Sequence, residues 1–380
     1  MNTAALRPLA QLLLEAVNGT QGALPDGAAQ VALTDVMAAA ALHRVRPALR
    51  NRVAAAPDAP QDWLAPFETV RHQNLFTHMR AHHDLRTAAQ LLDAADVRWL
   101  VAKGPVLSDL AWPRSDMREY GDVDLFLHPS DFKRGVEALE SHGFSLVDRN
   151  WPEMVRLSRS ELAMRGPSGV PFDVHWDLTG SRQERQRLSL DLASMIERSH
   201  PVILGPGYRV PTFEPTDTLL HVSLHAAQSG ANRLVWLADT RFAAALDGVD
   251  WSEVDRRSSA MRSTAMIGLV LARTERVFGR RLPAGPVVRR RMNSLWASLA
   301  ARRDRQRPFP GLPGDRALGG ILYSSARDNA ASAAAAAVRS GIEVRRLQSR
   351  AHDPLAAHNP LDDDVPDARA REHYMATVGQ

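Results

Sequence analysis

The chain has no cysteine and no long apolar run. The absence of cysteine from its 380 residues excludes disulfide bonds, thiolate zinc sites and cysteine nucleophiles. Any metal ion must therefore be held by oxygen atoms or imidazole nitrogens. No apolar stretch reaches the roughly 18 residues that a membrane helix needs. The N-terminal LRPLAQLLLEAV contains Glu15 and has no small-residue cleavage site, so we expect a soluble cytoplasmic protein without membrane association.

A strong charge of one sign is also missing. The formal net charge is +4, with 44% hydrophobic and 24% charged residues. This composition is typical of a globular chain that is long enough for two or three domains. The mild positive charge suits a polyanionic substrate but is too weak to support nucleic-acid binding. Nothing in the composition indicates an oligomeric state.

Hydrophobic periodicity divides the chain into four parts. Apolar residues spaced by three and four predict a helical region over residues 1–95. The short apolar runs VRWLVA, DVDLFL and FSLV alternate with helical stretches, which predicts an α/β (α+β) core over residues 96–212. Within it, ELAMRGPSGVPFDVHW has the pattern of a β-hairpin. Helical periodicity returns over residues 213–350, and residues 351–380 are predicted to form a loose tail.

Three aspartates lie on the predicted strands of this core. Asp122 and Asp124 begin the run DVDLFL, and their side chains are expected on one strand face. Two like charges side by side are tolerated at a wet strand end or are relieved by a bound cation. Asp173 lies on the second arm of the hairpin. Three carboxylates on neighbouring strands suit Mg²⁺, as in two-metal phosphoryl chemistry.

Basic residues surround the predicted carboxylate group. Lys103 and Gly104 stand where a predicted strand ends and a helix begins, and free backbone N–H groups attract phosphate at such a position. A plain strand-to-helix turn would use the same residues. Arg114 and Arg118 lie in the loop before the aspartate pair. Arg118 is the nearer one and is the better candidate for neutralising triphosphate charge.

Histidines are a second group of candidate residues. His175 shares a strand face with Asp173 and is either a base or an ordinary strand histidine. His221 and His225 resemble half of a zinc-helix motif. Val222 replaces the glutamate of that motif, so metalloprotease chemistry is not indicated. We expect a substrate-lining or structural role for His225, and the same for Asp239 on the following helix.

The motifs of the core resemble a known family. KGPVLSDLAWPRSDMREYGDVDLFLHPSDFKRGVEALESHGF, PFDVHWDL and LLHVSLHAAQSGANRLVWLADT are similar to the uncharacterised nucleotidyltransferase family of the DNA polymerase β-like superfamily. The resemblance implies a mixed β-sheet between helical segments. It also implies that Asp122, Asp124 and Asp173 hold two Mg²⁺ ions, or Mn²⁺ in their place. Lys103 and Gly104 stand where many members of the superfamily have Gly-Ser, with a longer spacer before Asp122.

The resemblance also implies an activity. We expect Mg²⁺-dependent transfer of a nucleoside monophosphate from a nucleoside triphosphate, ATP being the expected donor, with release of pyrophosphate. The acceptor is unidentified, and a peptide, a protein or a small molecule all remain open. A non-catalytic binding or antitoxin-like regulatory protein is the alternative. A third candidate is metal-dependent hydrolysis of a phosphate ester. The presence of all three carboxylates favours an enzyme.

Overall fold

Helices precede the first strand, as the periodicity predicts. The computed structural model describes residues 3–180, 182–205, 207–283, 294–306, 309–310, 321–327, 329–351 and 359–379. Its first helices are α1 (Thr3–Asn18), α2 (Leu33–His43), α3 (Arg46–Ala54) and α4 (Leu64–Ala94). Helix α2 ends where Arg44 adopts a left-handed backbone, with φ of 51°. Pro47 then lies in the first turn of α3, where the missing N–H costs no helical hydrogen bond.

A five-stranded mixed sheet forms the centre of the chain, which confirms the predicted α+β class. Its strands are β1 (Trp99–Ala102), β2 (Val123–Leu127), β3 (Ser145–Leu146), β4 (Glu161–Arg165) and β5 (Pro171–His175). Their spatial order is β1-β2-β5-β4-β3. Strands β4 and β5 form the predicted antiparallel hairpin, and only the β2–β5 pair of this sheet is parallel. The intervening helices are α5 (Gly104–Leu110), α6 (Phe132–Glu140) and α7 (Trp151–Leu157).

A second, two-stranded sheet lies beside β1 and is not among the predicted strands. It follows the short helices α8 (Arg182–Arg187) and α9 (Leu192–Glu197) and consists of β6 (His200–Leu204) and β7 (Tyr208–Thr212). The Thr212 hydroxyl donates a hydrogen bond of 2.7 Å to the Val101 carbonyl of β1. The sequence signal is the pair of glycines, Gly205 and Gly207, between two strand-like runs.

Helices return after the second sheet. They are α10 (Pro215–Gln228), α11 (Leu234–Ala243), α12 (Trp251–Ala260), α13 (Thr264–Phe278), α14 (Ser294–Gln306), α15 (Ala330–Ala351) and α16 (Ala368–Ala376). Helices from both ends of the chain share one hydrophobic core, which contains Leu13, Leu49, Leu220 and Leu237. Among the described residues, no helix has the length and apolar character needed to cross a membrane.

The described part of the C-terminal segment differs from the loose tail that its composition suggests. Within residues 359–379, helix α16 packs against α7 and buries Tyr374 and Met375. The Trp176 indole N–H donates a hydrogen bond of 3.2 Å to the Tyr374 hydroxyl. Tyr374 and Met375 thus anchor a polar, acidic segment to the sheet domain, and the low hydrophobicity of the segment conceals them. Residues 352–358 lie outside the described residues.

A buried ion pair joins the loop before β2 to helix α11. Arg118 binds both carboxylate oxygens of Asp239, each at 2.9 Å, and both side chains are almost fully buried. The Trp112 indole donates a third hydrogen bond, of 2.8 Å, to Asp239. Because every donor here is buried, loss of one partner would leave an uncompensated charge in the interior.

We therefore expect Arg118→Ala to lower the free energy of unfolding by about 3–5 kcal/mol. Arg114→Ala is the matched control, because Arg114 lies in the same loop and pairs with Asp116 at the surface. Such an exposed pair contributes at most about 1 kcal/mol. Urea unfolding of the two variants measures the difference. If both variants lose the same small amount of unfolding free energy, Arg118 is not the residue that holds the loop.

Candidate active site

The strand register places Asp124 and Asp173 side by side. In the parallel β2–β5 pair, Asp124 is opposite Asp173 and Phe126 is opposite His175. Paired residues on neighbouring strands point to the same face of a sheet, so both carboxylates lie on one face. On the other side of β2, Ala102 is opposite Asp124. Lys103 follows Ala102 directly, and its Nζ lies 2.8 Å from Asp124 Oδ1.

The charges in this group strongly affect one another. Burial opposes ionisation of Asp124, but Lys103 and His175 hold the pKa of its carboxyl well below the usual range. Burial and the Asp124 charge raise the pKa of Asp173 to about 7. The pKa of Asp122 is also raised, first by burial and then by Asp124. One carboxylate is therefore fully charged, and its neighbours hold protons more tightly than exposed aspartates do.

His175 bridges Asp124 and Glu161. Its Nε2 lies 3.4 Å from Asp124 Oδ1 and its Nδ1 lies 3.5 Å from Glu161 Oε2. The ring stacks on Phe126 with centroids 4.7 Å apart. Burial disfavours the imidazolium, yet the two carboxylates raise the pKa of His175. Glu161 is absent from the predicted site, although the register of the predicted hairpin, in which Glu161 is opposite His175, could have indicated it.

The turn from β1 into α5 carries Lys103 in an unusual backbone conformation. Lys103 has φ of 48° and ψ of −127°, a region that a residue with a Cβ rarely adopts. Such strain costs on the order of 1–3 kcal/mol and is concentrated at functional sites. At Gly104, a Cβ atom would lie 3.0 Å from the Asp122 carbonyl oxygen. The glycine therefore permits close approach of this turn to the beginning of β2.

Two of the other predicted residues are engaged elsewhere. The Arg118 guanidinium is taken up by Asp239, and its Nη1 also donates a hydrogen bond of 3.3 Å to the Gly104 carbonyl. Arg118 thus supports the Lys103 turn from behind. His225 lies edge-on to Trp236, with ring centroids 5.8 Å apart. Burial, and then the Lys103 charge, lower the pKa of His225 well below its usual range, so the ring is neutral.

A buried histidine, His221, lies next to the group. Its ring lies 5.2 Å from Phe126 and 5.1 Å from Phe213, between centroids. Burial, and then the Lys103 charge, lower the pKa of His221 to about 3. Its neutral ring forms part of the apolar layer beneath the carboxylates.

The donor atoms of this group fit a divalent cation. One donor atom each from Asp124, Asp173 and His175 lie within 4.8 Å of one another. Oxygen donors from aspartate suit Mg²⁺ and Mn²⁺. Burial, and then repulsion by Asp124, raise the pKa of Asp173, and a bound cation would offset both. Among the described residues, the Asp122 carboxylate does not belong to this compact set. It borders the set at the start of β2.

A cavity opens beside Asp122. Its volume is about 430 Å³, and its walls come from α2, α4 and the loop before β2. Arg44 and Arg46 line it together with polar side chains of α4, and Gly121 forms the wall next to Asp122. The Arg46 guanidinium is held by Glu119, whereas Arg44 is near enough to Asp122 to favour its charged form. The cavity is therefore polar and partly basic, and its wall includes the residue that directly precedes Asp122.

Comparison with known proteins matches these features to one family. No curated protein matches the chain. The family model of an uncharacterised nucleotidyltransferase matches residues 30–279, about two thirds of the chain. The matched segment contains the helices that line the cavity, the whole of both sheets and helices α10 to α13. The chain therefore belongs to the uncharacterised nucleotidyltransferase family.

Proposed function

We propose that the chain transfers a nucleoside monophosphate from a nucleoside triphosphate, with ATP as the expected donor, to a hydroxyl acceptor. The observation that carries this proposal is the pairing of Asp124 with Asp173 on adjacent parallel strands, with Lys103 against Asp124. Membership of the family supports nucleotidyl transfer in general. The acceptor class, Mg²⁺ dependence and a cytoplasmic location belong to the proposal.

The proposed chemistry is an in-line displacement. An acceptor oxygen attacks the α-phosphorus, the bond from that phosphorus to the oxygen bridging to the β-phosphorus breaks, and pyrophosphate leaves. Asp124 and Asp173, with Asp122 at the strand end, would hold Mg²⁺, which stabilises charge on the entering and leaving oxygens. The acceptor hydroxyl loses its proton to a carboxylate of this group. Lys103, once it turns from Asp124 towards the triphosphate, would supply positive charge beside the phosphates.

The cavity beside Asp122 is the proposed nucleotide site. Arg44 offers positive charge for the phosphates, and Gln73 and Asn74 offer hydrogen-bonding groups for the base or the sugar. Its volume of about 430 Å³ is within the range of small-molecule sites. In this arrangement Arg118 positions the Lys103–Gly104 turn rather than binding phosphate itself.

One observation favours a second, non-catalytic function. The Lys103 ammonium lies 2.8 Å from Asp124 Oδ1, where it already neutralises the carboxylate that would hold a cation. A fold that keeps its carboxylates paired in this way would suit a binding or regulatory protein. An enzyme requires Lys103 to turn from Asp124 towards the triphosphate. Binding and turnover measurements separate these two functions.

The first functional prediction concerns ligand binding. Mg²⁺ with a non-hydrolysable ATP analogue should raise the melting temperature of the wild-type chain, because the ligands bind only the folded state. Asp173→Asn should abolish most of this rise while leaving the ligand-free melting temperature unchanged or higher. The reason is that burial and Asp124 already disfavour the Asp173 charge. Differential scanning fluorimetry with and without the ligands measures both effects.

The matched control for this measurement is Asp116→Asn. Asp116 pairs with Arg114 at the surface, away from the carboxylate group, so this variant should show the full ligand-induced rise. An undiminished rise in Asp173→Asn would remove Asp173 from the cation site. A rise that needs no Mg²⁺ would show that the nucleotide binds without an ion.

The second functional prediction follows the label through the reaction. With α-labelled ATP, Mg²⁺ and a pool of candidate acceptors, the label should appear on an acceptor. With γ-labelled ATP, it should appear in pyrophosphate. Asp124→Asn should reduce the rate by about 10²–10³-fold or more, as loss of a key electrostatic group does in other enzymes.

The distribution of label distinguishes the candidate functions. Transfer of the γ-label to an acceptor would mean kinase chemistry and would refute nucleotidyl transfer. Release of inorganic phosphate from a phosphate ester, with no labelled acceptor, would indicate hydrolysis. Binding of the nucleotide without turnover, in the presence of acceptors from the source cell extract, would favour the non-catalytic function.

A further inference from the structure

A second group of potential metal ligands lies on the far side of α5. It consists of His78 and His82 from α4 and Asp109 from α5. The two histidines are four residues apart, so they occupy one face of α4 and both point towards α5. Their ring centroids are 4.3 Å apart. None of these three residues belongs to the carboxylate group on the sheet, and the proposed transfer reaction does not use them.

Each histidine has its Nδ1 engaged by a tyrosine. His78 Nδ1 lies 2.8 Å from the Tyr120 hydroxyl, and His82 Nδ1 lies 3.0 Å from the Tyr208 hydroxyl. When Nδ1–H donates to the hydroxyl oxygen, Nε2 carries a free lone pair that faces Asp109. A partner that fixes the other ring nitrogen in this way is characteristic of metal-binding histidines.

The Nε2 atom of His82 has no hydrogen-bond partner among the described residues. His82 is only 5% exposed, so this polar atom is buried and aimed into the group. An unsatisfied buried nitrogen is rare in a folded protein, because burial without a partner costs free energy. A ligand between His82 and Asp109 would satisfy it.

The distance from each histidine to Asp109 is close to that between two ligands of a tetrahedral ion. His82 Nε2 lies 3.5 Å from Asp109 Oδ2, and His78 Nε2 lies 3.7 Å from Asp109 Oδ1. These separations are long for hydrogen bonds. Two ligands bound to Zn²⁺ at their usual distances and at a tetrahedral angle lie roughly 3.3–3.4 Å apart. One donor atom from each of the three residues lies within 4.8 Å of the others, so the side chains would close in around a bound ion.

We propose that His78, His82 and Asp109 bind one Zn²⁺ ion, with water in the fourth position. Two imidazoles and one carboxylate are a donor set that favours Zn²⁺ over Mg²⁺. The chain has no cysteine, so this set meets the requirement that any zinc site be built from nitrogen and oxygen. The carboxylate group on the sheet, richer in oxygen, suits the harder ion.

Gly205, which follows β6, lies close to both His82 and Asp109. The Gly205 N–H donates a hydrogen bond of 2.7 Å to Asp109 Oδ2, which orients the carboxylate. A Cβ atom at position 205 would lie 2.9 Å from His82 Cε1, so the turn between β6 and β7 can reach the histidine only as glycine. A bound ion would therefore join α4 and α5 in a site that this turn closes.

The test compares zinc binding by the full chain and by four variants. The purified proteins are stripped with a chelator, loaded with ZnCl₂ in excess Mg²⁺, desalted and analysed for metal content. About one zinc ion per chain is expected for the wild type. His82→Gln and His78→Gln should lose it. His83→Gln, which changes an exposed neighbour on the same helix, should keep it, as should Asp173→Asn in the other group.

Two further measurements guard against misfolding as the cause of a loss. Circular dichroism checks the fold of each variant. His78 is more exposed than His82, so His78→Gln should disturb the fold less. Replacement of Zn²⁺ by Co²⁺ should give the visible absorption of a tetrahedral site in the wild type, in His83→Gln and in Asp173→Asn, but not in His78→Gln or His82→Gln. Tyr208→Phe, which removes a partner of a ligand, should weaken zinc affinity about 10–100-fold.

Three results would overturn the proposal. They are absence of bound zinc in the wild type, full zinc content in both His78→Gln and His82→Gln, and loss of zinc in Asp173→Asn. The last result would place the ion in the carboxylate group instead. Because the readout is metal content rather than turnover, failure of this proposal leaves the proposed transfer reaction untouched, and the converse also holds.

Discussion

The parallel pairing of β2 with β5 is the constraint on which the candidate site depends. It places Asp124 directly beside Asp173 within strands that are otherwise apolar. A sheet interior accepts such charges only when they are neutralised, because burial penalises an unpaired carboxylate. Lys103 neutralises Asp124, while Asp173 is left with a raised pKa. A cation bound between the two carboxylates would relieve part of that cost, so the strand pairing that builds the sheet also builds the candidate cation site.

Buried hydrogen bonds of Arg118 hold the Lys103–Gly104 turn in place. Arg118 links α11 to the loop before β2 through Asp239, and it also binds the carbonyl of Gly104. Lys103 can therefore keep a disfavoured backbone conformation, because its neighbours on both sides are fixed by buried hydrogen bonds. Helix α11 lies within the segment that the family shares. The C-terminal helices thus help to preorganise the Lys103 turn even though they carry none of its charged groups.

Much of the sheet domain follows from local sequence signals. Alternating apolar residues and the Gly-Pro-Ser-Gly turn predict the β4–β5 hairpin, and the change from DVDLFL to a helical spacing predicts β2 and α6. Confirmation of these elements places Asp124 and Asp173 on neighbouring strands, as expected. The role of Arg118 could not be predicted, because its partner Asp239 is far away in the sequence and only the tertiary fold brings them together. The contact of Tyr374 with Trp176 could not be predicted for the same reason, because the two residues are far apart in the sequence.

The histidine group on α4 shows why spacing alone is an incomplete guide to metal sites. Two pairs of histidines with the i, i+4 spacing occur in helices, at residues 78 and 82 and at residues 221 and 225. His221 faces aromatic rings and His225 faces Trp236, and within the described part of the chain that pair belongs to no group of potential metal ligands. The earlier pair meets Asp109 because α5 begins at the Lys103–Gly104 turn and runs alongside α4. The Tyr120 side chain connects the two regions, since its ring lies against Gly104 and its hydroxyl contacts His78. A zinc ion at His78 would consequently restrain Tyr120, and through it the same turn that Arg118 holds from the opposite side.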